Sequence, residues 1–213
     1  RIEDAFSAGL SRMNMSIHGW RPEDFQRKAR RGEKVWQLRQ TNLALLLRLG
    51  RPVKLNYVYT GPQDTDDLSS LLDWAANKPV VVNVLDDLTD PDASHRTITD
   101  LLLSLRGPHL RRWIDPDPHS LPTCRMSWPG GLIVEVKDRT LGGLAPWRHC
   151  RSCPVQSQCR EGIYAWRLSH TGMLRPCMDR ADLGLDLRRA HEHGGRGAAG
   201  AAWRCFELGL LRE

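Results

Sequence analysis

Val53-Lys54-Leu55-Asn56-Tyr57-Val58-Tyr59 alternates apolar and polar side chains in a β-branched, aromatic composition, and the turn signal Gly61-Pro62 closes it. A period of two with those residue types marks a strand. Met13-Asn14-Met15-Ser16-Ile17 upstream reads the same way, and Val80-Val81-Val82-Asn83-Val84-Leu85 downstream, a nearly continuous apolar run, reads as a buried strand. Each is followed by a helical pattern. Pro22, Glu23 and Asp24 open a long helical run that stops at Gly50. Leu68, Leu71, Leu72 and Ala75 form one apolar stripe after Asp64 or Thr65 as cap, and Ile98, Leu101, Leu102 and Leu105 form another. Strand alternating with helix predicts parallel βα units, half of a barrel or of an open sheet.

After Gly107-Pro108 the character changes to prolines, tryptophans and short strand signals, so a boundary is expected near 107–120. A hairpin is expected to pair Cys124–Trp128 with Leu132–Val136, and a second to pair Tyr164–Ser169 with Leu174–Cys177 around Gly172. Residues 194–202 are a low-complexity Gly/Ala tract.

Of the 213 residues, 40% are apolar, enough for one substantial core or two modest ones. No window approaches the length of a bilayer span, and no apolar signal core follows a basic flank, so the expectation is a soluble, cytoplasmic protein. Net charge is +6, carried mainly by arginines scattered over the whole length, which disfavours nucleic acid as a partner. The chain starts at Arg1 inside a helix-like pattern formed by Ile2, Ala5, Phe6 and Leu10, and so reads as a piece of something longer.

Parallel strands are normally apolar on both faces, so the polar positions within them need a reason. Asn14, Ser16 and His18 share one face of the first strand; Lys54 and Asn56 share one face of the second. These groups predict a polar cavity at the C-terminal half of the strands, where α/β enzymes hold ligands. The alternative is an edge strand or a solvated face. A mid-strand lysine costs several kcal/mol unless an anion or a wet cavity meets it, and Lys54 is the hardest of the set to explain without one.

Six cysteines are present, and four of them form Cys150-x2-Cys153-x5-Cys159-x17-Cys177. A C-x2-C turn brings two sulfurs to one metal centre, the third returns from the same loop, and the fourth arrives on the second hairpin. Disulfides are disfavoured without a secretion signal. Spacing favours structural zinc over an iron–sulfur cluster, although cluster spacings are looser and this one suits both.

Asp4-Ala5 through Gly9-Leu10, then Arg12 through Gly19, resembles the middle of the radical S-adenosylmethionine barrel found in the GTP 3′,8-cyclase family of molybdopterin biosynthesis. Val53–Val58 is similar to that family's Val-Lys-Ile-Asn-x-Val strand. Trp166–Cys177 resembles its Leu-Arg-Leu-Thr-x-Asp-Gly-x-Leu-x-Pro-Cys hairpin, which carries the last cysteine of an auxiliary [4Fe–4S] cluster. The resemblance implies an α/β fold: residues 1–107 as the C-terminal half of a radical-SAM (β/α) barrel, and 108–193 as a small hairpin-rich auxiliary iron–sulfur domain. Residues 194–213 would be a flexible tail with a short helix.

It also implies a function: a 5′-deoxyadenosyl-radical cyclisation or rearrangement, with a nucleotide or peptide substrate and an electron donor. Asn14 and Ser16 would bind S-adenosylmethionine, while Lys54, Asn56 and Arg167 would bind substrate. Cys150, Cys153 and Cys177 would hold the auxiliary cluster, with Cys159 as a candidate fourth ligand that would close its open iron. The chain departs from the family in several places. Its cysteine spacing before Cys177 is longer, Ala165 stands where a companion hairpin arginine is found, Val81 stands near another arginine position, and the Gly-Gly tail is missing. Each departure argues against GTP. The C-x3-C-x2-C loop of the radical-generating cluster is not in this stretch, so these residues alone are not expected to cleave S-adenosylmethionine. Two alternatives stand beside this reading: a radical-SAM enzyme acting on peptides, and a zinc-stabilised α/β binding module.

Other groups read more simply. Asp86, Asp87, Asp90 and Asp92 suit a solvated loop with capping aspartates, His191 and His193 an exposed helix end, His149 a place beside the metal ligands, and Cys205 a buried thiol.

Overall fold

The computed structural model describes residues 2–86, 95–115, 122–137, 148–151, 153, 154, 156, 159, 166–177, 180–194, 197, 200 and 204. Asp87, Asp90, Asp92, Tyr164, Ala165 and Cys205 lie outside the described residues, as do the side chains of Asp86 and His149. The chain divides into two compact units, 1–116 with 122–141, and 117–121 with 142–213.

The first unit is mixed α/β. In chain order it holds α1 (Ile2–Ser7), β1 (Met13–Ile17), α2 (Pro22–Ala29), α3 (Glu33–Arg48), β2 (Val53–Tyr59), α4 (Thr65–Ala75), β3 (Val80–Asp86), α5 (His95–Arg106), β4 (Arg111–Asp115), β5 (Thr123–Ser127) and β6 (Ile133–Lys137). The six strands make one sheet in the order β1-β2-β3-β6-β5-β4. β1, β2, β3 and β6 run parallel, while β5 is antiparallel to both β6 and β4.

The three strands read from the alternating pattern form where that pattern lies. The helical run from Pro22 to Gly50 is broken, however. Arg30 adopts the left-handed conformation (φ 51°, ψ 37°) and ends α2, its N–H bonding to the Gln26 carbonyl, and Gly32 then caps α3. Strand β4 was not foreseen. Its residues are exposed or half-buried throughout, as an edge strand permits, so it lacks the apolar signature of a core strand. The hairpin β5–β6 turns through Gly130 and Gly131, both at positive φ (80° and 81°).

Every core-facing helix packs on one side of the sheet. Leu43 and Leu46 of α3, Leu68, Leu71, Leu72 and Ala75 of α4, and Ile98 and Leu102 of α5 join Leu55, Tyr57, Val82, Val84, Val134, Val136, Cys124 and Met126 in one buried cluster. The chain order explains this. β1, β2 and β3 advance one position at a time in parallel, and right-handed crossovers taken in one direction lay all their helices on the same face.

The second unit contains a short helix α6 (Arg148–Arg151) and a three-stranded antiparallel sheet. β7 (Arg167–Leu168) pairs with β8 (Met173–Arg175), which pairs with β9 (Leu185–Asp186). The β7–β8 hairpin turns around Gly172, which is at φ 86°. Among the described residues, no helix is long and apolar enough to cross a membrane.

Candidate functional site: a polar sheet face and a turn of thiols

The sheet face opposite the helices is polar. Register aligns Ser16 with Asn56, Asn56 with Asn83, Asn83 with Glu135, and Glu135 with Arg125, so these five side chains cross five strands as one row. A second row runs from Asn14 through Lys54 to Val81 and Ile133. Asn14 and Ser16 are exposed, and Asn56 is half-buried. Asn83 Nδ2 donates to Asn56 Oδ1 at 3.0 Å, so these two amides fix each other.

Glu135 is the residue that sequence reasoning missed. It is 2% exposed, yet it carries a carboxylate that pairs with both Lys54 and Arg125, Arg125 Nε lying 2.5 Å from Oε1. Burial pushes its pKa up, but the hydrogen bonds and charges of Lys54 and Arg125 outweigh burial and hold it below the ordinary carboxylate range. The anion that Lys54 needed is therefore in the chain itself. A lone acid within Leu132-Ile133-Val134-Glu135-Val136 was the available signal.

A cavity of about 200 Å³ opens at the N-terminal ends of β2, β3 and β6, walled by Val53, Val80, Val81 and Ile133. Lys54, Arg125 and Glu135 line it, together with Arg12 and Lys78. The sequence reading put a cavity at the C-terminal half of the strands; this one lies at their opposite ends.

At the C-terminal ends of β1 and β2, on the helix side, stands a buried charge network. Asp67 accepts the backbone N–H groups of Trp20 (2.8 Å) and Arg21 (2.7 Å) and the Tyr57 hydroxyl (2.9 Å). Asp64, read as a helix cap, makes no capping bond to α4. It pairs instead with Lys28 (2.6 Å) and Arg27 (2.7 Å) and accepts the Thr60 N–H. The two carboxyls shift in opposite directions. Burial raises both, and it prevails at Asp67, while the bonds from Lys28, Arg27 and Thr60 bring Asp64 below its usual value. Arg39 donates to the Gly19 and Trp20 carbonyls, and burial brings its pKa down to about 10 despite the charge of Asp67. This network holds the loop after β1 against α3 and α4.

In the second unit, Cys150, Cys153 and Cys159 lie on successive turns. Cys153 N–H bonds to the Cys150 carbonyl at 3.0 Å, Gln156 N–H to the Cys153 carbonyl, and Cys159 N–H to the Gln156 carbonyl. Cys177 is buried just after β8. None of the described cysteines is in a disulfide. The Arg180 guanidinium is held by two bonds to Asp182 and feels the charge of both Cys153 and Cys150. Arg167 Nη1 donates to the Pro176 carbonyl across the hairpin at 3.2 Å. His191 and His193 are exposed, and His193 bonds to the Arg189 carbonyl.

Three thiols on successive turns and a fourth buried after β8 fit a thiophilic centre by donor type. Among the described residues, however, no three His, Cys, Asp or Glu side chains stand together as ligands of one ion.

The chain matches no family model, no curated protein and no solved structure. Its sheet and its cysteine spacing therefore carry the functional argument unaided. Taken as chemistry, the polar face offers amide, hydroxyl and ion-paired groups that orient a ligand, and the thiol turns offer soft donors.

Proposed function

We propose that the chain is part of a radical S-adenosylmethionine enzyme, with residues 1–107 as a segment of the (β/α) barrel and the Cys150–Cys177 segment as an auxiliary iron–sulfur site. The observation that carries this reading is the polar face, exposed at Asn14 and Ser16 and buried at Asn83 and Glu135. A parallel sheet normally has both faces covered, and one with helices on one side and a row of Ser16, Asn56, Asn83, Glu135 and Arg125 on the other has the layout of a barrel segment whose interior meets ligand. On this reading Asn14 and Ser16 orient S-adenosylmethionine. Asn56, steadied by Asn83, and Lys54, steadied by Glu135, present fixed dipole and charge to the substrate.

A [4Fe–4S] cluster bound by Cys150, Cys153 and Cys177, with or without Cys159, would supply redox or Lewis-acid chemistry. The wider activity requires the three-cysteine loop and reductant that accompany such barrels.

Metal analysis of anaerobically purified protein tests the assignment. Iron and sulfide with broad absorbance near ~400 nm, lost in Cys177→Ala, support it. Zinc at four thiolates without iron selects a zinc-stabilised binding module instead. Protein holding neither metal overturns both.

A further inference from the structure

The cavity at the N-terminal ends of β2, β3 and β6 is lined by four cations, Arg12, Lys54, Lys78 and Arg125, against the single carboxylate of Glu135. Glu135 touches Lys54 and Arg125 and balances only one of their two charges. Arg12 and Lys78 are exposed and have no carboxylate partner among the described residues. They approach from different parts of the chain, Arg12 ahead of β1 and Lys78 ahead of β3. Between them the walls are Pro52, Val53, Pro79, Val80, Val81 and Ile133, which offer nothing to neutralise the excess. Low-dielectric walls concentrate that field into the opening.

We infer that this cavity is a phosphoryl-binding site. Three uncompensated positive charges call for more than a carboxylate, which carries one negative charge. A phosphate monoester carries roughly −1.5 to −2 at neutral pH and presents three acceptor oxygens. An arginine fork and a lysine point charge from opposite sides suit those oxygens. A volume of about 200 Å³ admits the phosphoryl group with a few further atoms. Lys54 and Arg125, locked by Glu135, form a pre-set floor, and Arg12 and Lys78 supply the charges that are free to close on the ligand. The site goes beyond the function proposed above: it shares Lys54 and Arg125 with the polar face, but it lies at the N-terminal ends of the strands and needs no metal.

Calorimetric titration of the full chain with inorganic phosphate, glycerol phosphate, pyrophosphate and acetate tests it. Saturable one-to-one binding of a phosphate, at least about tenfold tighter than acetate, is expected. Arg12→Ala and Lys78→Ala should each weaken it about tenfold, and Lys78→Glu should abolish it, all with unchanged melting temperature in the absence of ligand. Tighter binding of glycerol phosphate than of inorganic phosphate assigns the site to an esterified group, and the reverse to the free ion; either supports the inference. Equal affinity for acetate, or phosphate binding indifferent to all three substitutions, overturns it and leaves an adventitious ion only. Metal content does not enter this measurement, so its failure is distinguishable from failure of the iron–sulfur assignment.

Discussion

Lys54 on β2 pairs with Glu135 on β6 across the whole width of β3, with Val81 standing beside Lys54 in the strand between them. A buried carboxylate thus ties two non-adjacent strands, and through Arg125 it ties β5 as well. The pair belongs to the sheet's architecture as much as to any ligand site.

Glu135→Gln keeps the shape and removes the charge, leaving Lys54 and Arg125 without a counter-ion. Breaking such a pair from one side costs about 3 kcal/mol, read as a lower denaturation midpoint. Replacing all three charges, Glu135→Leu with Lys54→Met and Arg125→Met, should recover much of the loss, because apolar groups of similar size need no partner. A triple variant as unstable as the single one would refute the pairing.

The depressed pKa of Glu135 gives its acid dependence a definite sign. The stabilisation is complete above the unfolded value of about 4.5 and drains away as pH falls through the lower folded value. Stability curves of the native chain and Glu135→Gln should therefore converge on acidification below about pH 4.5 and run parallel above it.

Asp64 and Asp67 should respond differently to neutralisation. Asp64→Asn leaves Lys28 without its carboxylate, while Arg27 keeps Asp24, and should cost about 3 kcal/mol at neutral pH. Asp67 has a raised folded pKa, so its ionisation is a burden that grows as pH rises from the unfolded value of about 3.8 and levels off above the folded one. Asp67→Asn retains one acceptor oxygen and should cost less, by about 1–2 kcal/mol. Equal losses at pH 7 would contradict the opposite shifts.

Gly19 permits the loop after β1. A Cβ there would sit 2.2 Å from Phe25 N and 2.4 Å from Asp24 C, both backbone atoms that have no room to yield. Gly19→Ala should lose about 3 kcal/mol or fail to fold, whereas Gly9→Ser, where a Cβ meets nothing within 4 Å, should lose no more than the backbone strain of its positive φ, about 1 kcal/mol.

Cys124 is a packing thiol set apart from those proposed to hold metal. It is fully buried on the helix side of the sheet, its sulfur 3.1 Å from Arg112 Nε. Cys124→Ala should cost about 1 kcal/mol of stability and leave the metal content unchanged, in contrast to Cys177→Ala.

Strand β3 was legible as a nearly continuous apolar run. The strands that alternate, β1 and β2, were legible because one face is buried under helices and the other is polar, and a period of two records that difference. The stripe on α4 was legible for the same reason. Strand β4 was not, since an edge strand with Arg111, Arg112 and Asp115 has no buried face to advertise. The break at Arg30 was hidden because the left-handed position holds arginine where glycine or asparagine would have announced it. Of the site, the sequence identified the polar positions but not their partner. Lys54 stood out as unexplained, and its explanation lay 81 positions later in a segment expected to belong to a separate hairpin. Long-range pairing of that kind has no local period to betray it.

The placement of β6 beside β3 sets an order of assembly. After β3 the chain runs out to β4 at the sheet margin and comes back through β5 before β6 docks. A ribosome making this protein therefore releases β1, β2 and β3 with one flank of β3 bare, and that flank stays open until residue 137 has emerged. Nascent chains halted short of that point should be the ones that chaperones hold.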